Sequence, residues 1–216
     1  MGSGQPSINI ERGFTWKLAR VFLRAVTWLW ARPMVSGPGV VPESGPVILA
    51  PTHRSYVDFL MLLFTTDRKP FFMTRAEFLR IPVIGVIMVL LGCIGVEKSM
   101  AADRSVMRLS EEVLGKGQVL VVFPEGGLRR GSHVDTLTDG VMFLAARTGA
   151  AVVPIGLGGT DGVMPIGSRV PRFHRVRVVV ADVIPGQVGK VARSVVRLQS
   201  EELRAAMEGA YTQATT

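Results

Sequence analysis

The stretch "GPVILAPTHRSYVDF", Gly45 to Phe59, places an apolar run between a Gly-Pro turn signal and a polar loop. Four apolar residues without alternation, Val47 to Ala50, read as a strand buried on both faces, the kind found inside a parallel sheet covered by helices. The run stops at Pro51; His53 follows at once, with Asp58 five positions further on. In such sheets ligands bind beyond the carboxyl ends of strands, so His53 stands where chemistry is expected.

Outward from this stretch the chain alternates between strand and helix patterns. Periodicity and turn residues predict strands at Val47–Ala50, Pro70–Met73, Gln118–Phe123, Ala151–Leu157 and Val176–Ile184. They predict helices at Tyr56–Phe64, Arg75–Leu91, Ala101–Leu114, Leu137–Thr148 and Lys190–Tyr211. That order implies an α/β fold, a mixed and mainly parallel sheet flanked by helices. A length of 216 residues suits one such domain.

Composition narrows the partners. The chain is 48% hydrophobic, carries a net charge of +8 and has a positive mean hydropathy of +0.34, which together fit a membrane surface with anionic lipid. Nucleic acid fits the charge alone, because Trp16, Trp28 and Trp30 are confined to the N-terminal stretch and the basic C-terminal third has only Phe173 and Tyr211 as aromatics. The single cysteine, Cys93, excludes an internal disulfide and a cysteine-based zinc site, and points to a reducing compartment.

The segment "ERGFTWKLARVFLRAVTWLWARP" sets Phe14, Leu18, Val21, Phe22, Ala25 and Leu29 on one helical face and Lys17, Arg20 and Arg24 on the other. Residues 1–36 therefore read as an amphipathic membrane-binding segment ahead of a catalytic domain over 37–216, with the apolar face in acyl chains and the basic face on headgroups. An ordinary surface helix packed on its own domain has the same periodicity. No secretory pattern stands at the N-terminus, which places the expected membrane contact on the cytoplasmic face. The apolar window Ile81 to Val96 is 16 residues long and broken by Pro82 and three glycines, short of the roughly 18–20 that a span requires. It reads as a buried or membrane-dipping helix. Arg169, Arg172, Arg175 and Arg177 form a solvated or lipid-facing patch.

The chemistry must rest on uncommon motifs. There is no G-x-S-x-G elbow, no Walker loop, no G-x-G-x-x-G after a strand and no H-E-x-x-H. His53 and Asp58 can meet only if the histidine lies in the loop and the aspartate in the first turns of the helix, since positions five apart on one helix sit about 140° apart. A carboxylate on one imidazole nitrogen fixes the tautomer and orients the ring, as a general base acting on a hydroxyl requires. Taken alone, the pair reads equally as a loop hydrogen bond. The second constellation is "VLVVFPEGGLRRGS", a strand running into Glu125, Gly126, Gly127, Arg129 and Arg130. Glycines let backbone amides approach an anion and arginines suit a phosphate, although a basic turn has the same composition. His133 and His174 sit in polar or basic loops and receive no catalytic role.

These residues resemble the glycerolipid acyltransferases of the lysophosphatidic acid (1-acylglycerol-3-phosphate) acyltransferase type. "THRSYVD" is similar to that family's N-H-x-x-x-x-D, with Thr52 for the asparagine. "GCIGVEK" resembles G-x-I-F-I-D-R, with Lys98 for the arginine. "FPEGGLRR" resembles F-P-E-G-T-R, with Gly127 and Leu128 departing and Arg129 or Arg130 left to serve. "VPI", Val153 to Ile155, matches the fourth motif. The resemblance implies transfer of a fatty acyl group from acyl-CoA or acyl-carrier protein to a glycerol phosphate hydroxyl, with His53 as general base and Asp58 as its orienting partner. It places Lys98, Glu125, Gly126, Gly127, Arg129 and Arg130 on the phosphate side. No metal or cofactor beyond the thioester donor is implied.

Overall fold

The computed structural model describes residues 13–75, 88, 92–96, 102–168, 170–187, 189 and 192–216. In chain order these form α1 (Gly13–Ala31), β1 (Met34–Ser36), β2 (Val47–Pro51), α2 (Asp58–Met61) running into a 3-10 turn (Leu62–Phe64), β3 (Pro70–Arg75) and β4 (Cys93–Val96). There follow α3 (Ala102–Gly115), β5 (Val119–Val121), α4 (Gly140–Thr148), β6 (Ala151–Gly158), α5 (Thr160–Val163), β7 (Arg177–Val180) and α6 (Arg193–Thr215). The strands make one sheet in the order β1-β7-β6-β2-β5-β3-β4. Among the strand pairs of the described residues only β6–β7 is antiparallel.

The strand without alternation, β2, lies at the centre between β6 and β5 and is buried along its whole length. Its side chains serve two cores. Ile48 and Ala50 join Leu120, Val152, Leu203 and Met207 under α3, α4 and α6. On the opposite face Val47 and Leu49 join Val153, Ile155, Leu157, Met61 and Leu62. Each fully buried Leu or Ile contributes about 1.5–3 kcal/mol, so a strand packed on both faces is held where an alternating one would have a free side.

Most predicted elements form within a few residues of their expected bounds. The last predicted strand is shortened: Ile184 keeps only an isolated bridge to Val152. Two strands were not read from the sequence. β1 is three exposed residues with no apolar pattern to announce it. Because it pairs with β7, the sheet begins before residue 37, where the catalytic domain was expected to start. β4 lies inside the window 81–96 expected to be helical: Cys93 to Val96 pair with β3 at the sheet edge, since a short apolar run fits either state. Arg75 likewise ends β3 and does not open a helix. The rest of the predicted 75–91 helix, apart from Met88, lies outside the described residues, as do Lys98 and Arg169.

The N-terminal helix has the predicted two faces, the apolar one turned away from the domain and the basic one turned toward it. Trp16, Thr27 and Ala31 are buried against the domain. Arg20 pairs with Asp67, and Arg24 lies 3.6 Å from the same carboxylate and over the Phe64 ring. Two of the three basic residues expected on lipid headgroups are thus engaged by the domain. Leu18, Val21, Phe22, Trp28 and Leu29 face outward, 55–67% exposed. Periodicity fixes that a helix has two faces but carries no sign for which turns inward.

Helix α6 lies directly on β6. A Cβ at Gly156 would stand 2.3 Å from the carbonyl carbon of Ala210 and 2.4 Å from the nitrogen of Tyr211, so glycine is required by contact between two backbones. Gly156→Ala is expected to destabilise the fold by about 1–3 kcal/mol or more through overpacking. Gly209→Ala, in the same helix with nothing within 4 Å of its Cβ, should stabilise by about 0.5–1 kcal/mol. Urea unfolding midpoints of the two variants check this pair of opposite signs.

Candidate active site

Parallel pairing of β2 with β5 and β6 sets three carboxyl ends side by side. The loop leaving β2 is first tied to β6: the Thr52 amide donates to the Ile155 carbonyl and the Leu157 amide donates to Thr52 Oγ1, both at 3.0 Å. Thr52, at the position where the resembled motif has asparagine, is therefore a strand-to-loop brace.

The loop then wraps around one carboxylate oxygen. Asp58 opens α2 and is fully buried. Its Oδ2 accepts from the Arg54 amide (2.7 Å), the Ser55 amide (2.8 Å) and His53 Nδ1 (2.9 Å). This explains the spacing of five: two backbone amides fold the loop onto the aspartate and bring the imidazole along. An ionised carboxylate only accepts, so Nδ1 carries the proton and the lone pair lies on Nε2, which has no protein partner among the described residues. Phe123 stacks on the imidazole at 3.9 Å between centroids, fixing the ring plane. The Ser55 hydroxyl donates to the Met164 carbonyl at 2.7 Å and is occupied as a second brace.

Glu125 is not on the open side of its loop. Its side chain is buried, with Oε1 accepting from the His53 amide at 3.1 Å and both oxygens receiving Arg54 Nη1 at 2.8 and 2.9 Å. It thus acts from beneath the site. Arg54, which the sequence reading passed over, is the partner that makes this possible. It also donates from Nη2 to the His133 carbonyl at 2.8 Å and lies over the Tyr211 ring at 4.7 Å. Burial works against the Arg54 charge, but the hydrogen bond and attraction of Glu125, with a smaller contribution from Tyr211, outweigh it and raise the guanidinium pKa above its ordinary value. The available sequence signal was an arginine and a glutamate each just past neighbouring buried strands.

Gly126 turns the chain with φ 71°, a conformation that favours glycine. Past half-buried Gly127, the Arg129 amide donates to the His53 carbonyl at 2.8 Å, so the histidine backbone is gripped from both sides by one loop. The Arg129 side chain donates to the Glu125 carbonyl at 2.8 Å and lies 3.3 Å from Asp135. Arg130 is exposed and has no protein partner among the described residues. The structure therefore gathers His53, Asp58, Glu125, Gly126, Gly127, Arg129 and Arg130 around the neighbouring carboxyl ends of β2 and β5. His174 lies apart, its amide donating to the Trp30 carbonyl. Among the described residues no cluster of three His, Cys, Asp or Glu is placed to hold a metal ion.

Comparison with known proteins agrees with this geometry. The model of the family described as Acyltransferase matches residues 32–158, more than half of the chain and all of the loops just described. The chain belongs to the acyltransferase family. Similar curated proteins include a chloroplastic 1-acyl-sn-glycerol-3-phosphate acyltransferase of Arabidopsis thaliana, 29% identical over 80% of this chain and 51% of the relative. Another 1-acyl-sn-glycerol-3-phosphate acyltransferase, from Borreliella burgdorferi, is 23% identical over 67% of this chain and 58% of its own. A lyso-ornithine lipid O-acyltransferase of Pseudomonas aeruginosa is 26% identical over 62% of this chain and 53% of its own. This acyltransferase-family chain spans about half the length of the curated relatives it matches. The crystal structure of a 1-acyl-sn-glycerophosphate acyltransferase from Thermotoga maritima superposes with a TM-score of 0.73 over 90% of this chain and 78% of that one; at 23% identity the likeness establishes the shared fold.

Removing Glu125 leaves the Arg54 charge buried and the His53 amide without its acceptor. Glu125→Ala should cost about 3–5 kcal/mol of stability, and Glu125→Gln less, because an amide oxygen still accepts. Chemical denaturation of the two variants measures the difference.

Proposed function

We propose that this chain is a membrane-associated acyltransferase that moves a fatty acyl group from acyl-CoA or acyl-carrier protein to the free hydroxyl of 1-acylglycerol 3-phosphate, giving phosphatidic acid. The observation that carries the reading is His53, oriented by Asp58 and Phe123 with no protein partner on Nε2 among the described residues, beside a loop bearing two arginines. The acceptor phosphate docks at Arg129 or Arg130, with Lys98 as a further candidate, and this turns the free hydroxyl toward Nε2. Nε2 takes the hydroxyl proton as the oxygen bonds to the thioester carbonyl carbon, and Asp58 stabilises the imidazolium. Collapse of the tetrahedral intermediate breaks the C–S bond, and the thiolate leaves with the proton returned from His53. Glu125 acts indirectly, by fixing Arg54 and the His53 backbone.

The names of the relatives support the lysophosphatidate acceptor, and the lyso-ornithine lipid relative makes a panel of acceptors the right assay. Purified protein given a long-chain acyl-CoA should acylate lysophosphatidate in preference to glycerol 3-phosphate and lyso-ornithine lipid. His53→Ala should lower kcat by about 10²–10⁴-fold with its unfolding midpoint unchanged. Arg130→Ala or Arg129→Ala should raise KM for acceptor and leave KM for donor. Transfer undiminished in His53→Ala would sink the base assignment.

The membrane reading rests on the outward face of α1. Among the described residues no helix is long and apolar enough to cross a bilayer, and a row of half-exposed Leu, Val, Phe and Trp fits a helix embedded in one leaflet, on the cytoplasmic side. Val170 and Phe173, 70% and 82% exposed, stand with Arg172 and Arg175 in the segment that hydrogen-bonds to the end of α1 and extend the same surface. Phe22→Glu with Leu29→Glu should abolish co-sedimentation with vesicles containing anionic lipid, while transfer to a short-chain acceptor in detergent persists. Lys17→Glu should weaken binding slightly and mostly at low salt, by about 1 kcal/mol. Unchanged co-sedimentation of the double variant would place the contact elsewhere.

A further inference from the structure

We propose that α6, outside the stretch that matches the family, sets the acceptor-binding loop, with Glu208 and Tyr211 as its positioning residues. Three backbone groups of the loop are fixed from outside it. Tyr211 Oη donates to the Gly131 carbonyl at 3.2 Å, Arg54 Nη2 donates to the His133 carbonyl at 2.8 Å, and the Val134 amide donates to Glu208 Oε2 at 2.6 Å. Glu208 Oε1 also lies 3.1 Å from His133 Nδ1. The two α6 residues are three apart, hence on one face of the helix, and the Tyr211 ring supports the Arg54 guanidinium as well.

The loop needs such ties. Gly126 and Gly131 both sit at positive φ (71° and 112°), and Gly126, Arg129, Arg130, Gly131 and Ser132 are exposed. With two left-handed glycines and no core of its own, the arginine-bearing segment keeps one conformation only through its anchored ends. The proximal end is anchored by Glu125 and the Arg129 amide to the histidine loop. The distal end is anchored by α6, together with Arg54 on the His133 carbonyl and Thr138 on the Pro124 carbonyl. Partial burial disfavours the Glu208 charge, but the Val134 amide and His133 outweigh it and lower its pKa below the ordinary carboxylate value. The acceptor-side anchor is therefore charged at neutral pH. The direct bonds on His53 and Asp58 come from their own loop, and Tyr211→Phe keeps the ring that lies over Arg54, so loosening the helix anchor affects acceptor binding before it affects the chemical step.

The inference rests on the proposed function for the role of Arg129 and Arg130, and its test separates the two. Wild type, Glu208→Ala, Glu208→Gln and Tyr211→Phe are compared as full chains. KM for lysophosphatidate should rise about five- to twentyfold in Glu208→Ala and Tyr211→Phe, the loss expected for one hydrogen bond to an anchored group. Donor KM and kcat at saturating acceptor should stay within about twofold, and Glu208→Gln, whose amide oxygen still accepts from Val134, should stay near wild type. Tryptic cleavage after Arg129 and Arg130 should accelerate in the same order, with the urea midpoint unchanged in Tyr211→Phe, the variant least able to disturb folding. An unaltered acceptor KM, or a rise shared equally by donor and acceptor, overturns the proposal. If wild type transfers no acyl group, the proposed reaction fails on its own, and direct lysophosphatidate binding to the same four proteins decides: weaker binding in Glu208→Ala and Tyr211→Phe supports the α6 role, and equal binding or none in all four overturns it.

Discussion

One buried ion pair holds the two halves of the site together. Arg54 follows the histidine on the loop after β2, Glu125 lies on the loop after β5, and their strands are hydrogen-bonded neighbours, so the pair closes a gap of one strand spacing at the sheet's carboxyl end. Burying two charges has a large desolvation cost and their attraction offsets it only when the remaining hydrogen-bonding capacity is filled. Here most of it is filled by the His53 amide and the His133 carbonyl, although Arg54 Nε is left without a partner. Those same bonds fix the backbone of His53 and of the loop beyond Glu125. The pair is better understood as a determinant of geometry than as a source of stability.

Around it the site divides into an inner and an outer layer. The inner layer is Asp58, Glu125 and Arg54, all buried: Glu125 and Arg54 face each other, and Asp58 faces the amides of its own loop and the His53 ring. The outer layer is His53, Arg129 and Arg130, each with at least part of its side chain at the surface. Thr52 and Ser55, which flank the histidine and its arginine, spend their hydroxyls on β6 and on the Met164 carbonyl and so brace the loop. The proposed direct attack by an acceptor hydroxyl calls on neither of them.

Much of this was legible in the sequence because it depends on local pattern. The unalternating run before Pro51 announced a central strand, and the spacing of His53 and Asp58 announced a loop closing on a helix start. What remained hidden depends on pairing across the fold. Arg54 looks like any basic loop residue until Glu125 is seen opposite it. Exposed β1 has too few residues to carry a period, and Cys93 to Val96 become a strand only because β3 offers an edge. For α1 the pattern gave both faces but not their direction, since Asp67, which captures Arg20 and Arg24, lies far away in sequence.

The contact of β6 with α6 gives the molecule a fixed internal gauge. Where a helix rests on a sheet through large side chains, rotamer changes can absorb a shift of a few tenths of an ångström. At Gly156 and Gly158 there is no such cushion, because main chain meets main chain at Ala210 and Ala214. Tyr211 and Glu208 stand beside or within one turn of that contact. The reach of their side chains to the loop is therefore measured from the sheet itself, the same sheet that positions His53. Main chain meeting main chain leaves no side chain there to yield, so this pair of glycines becomes the reference surface from which the ties of α6 to the loop beyond Glu125 are set.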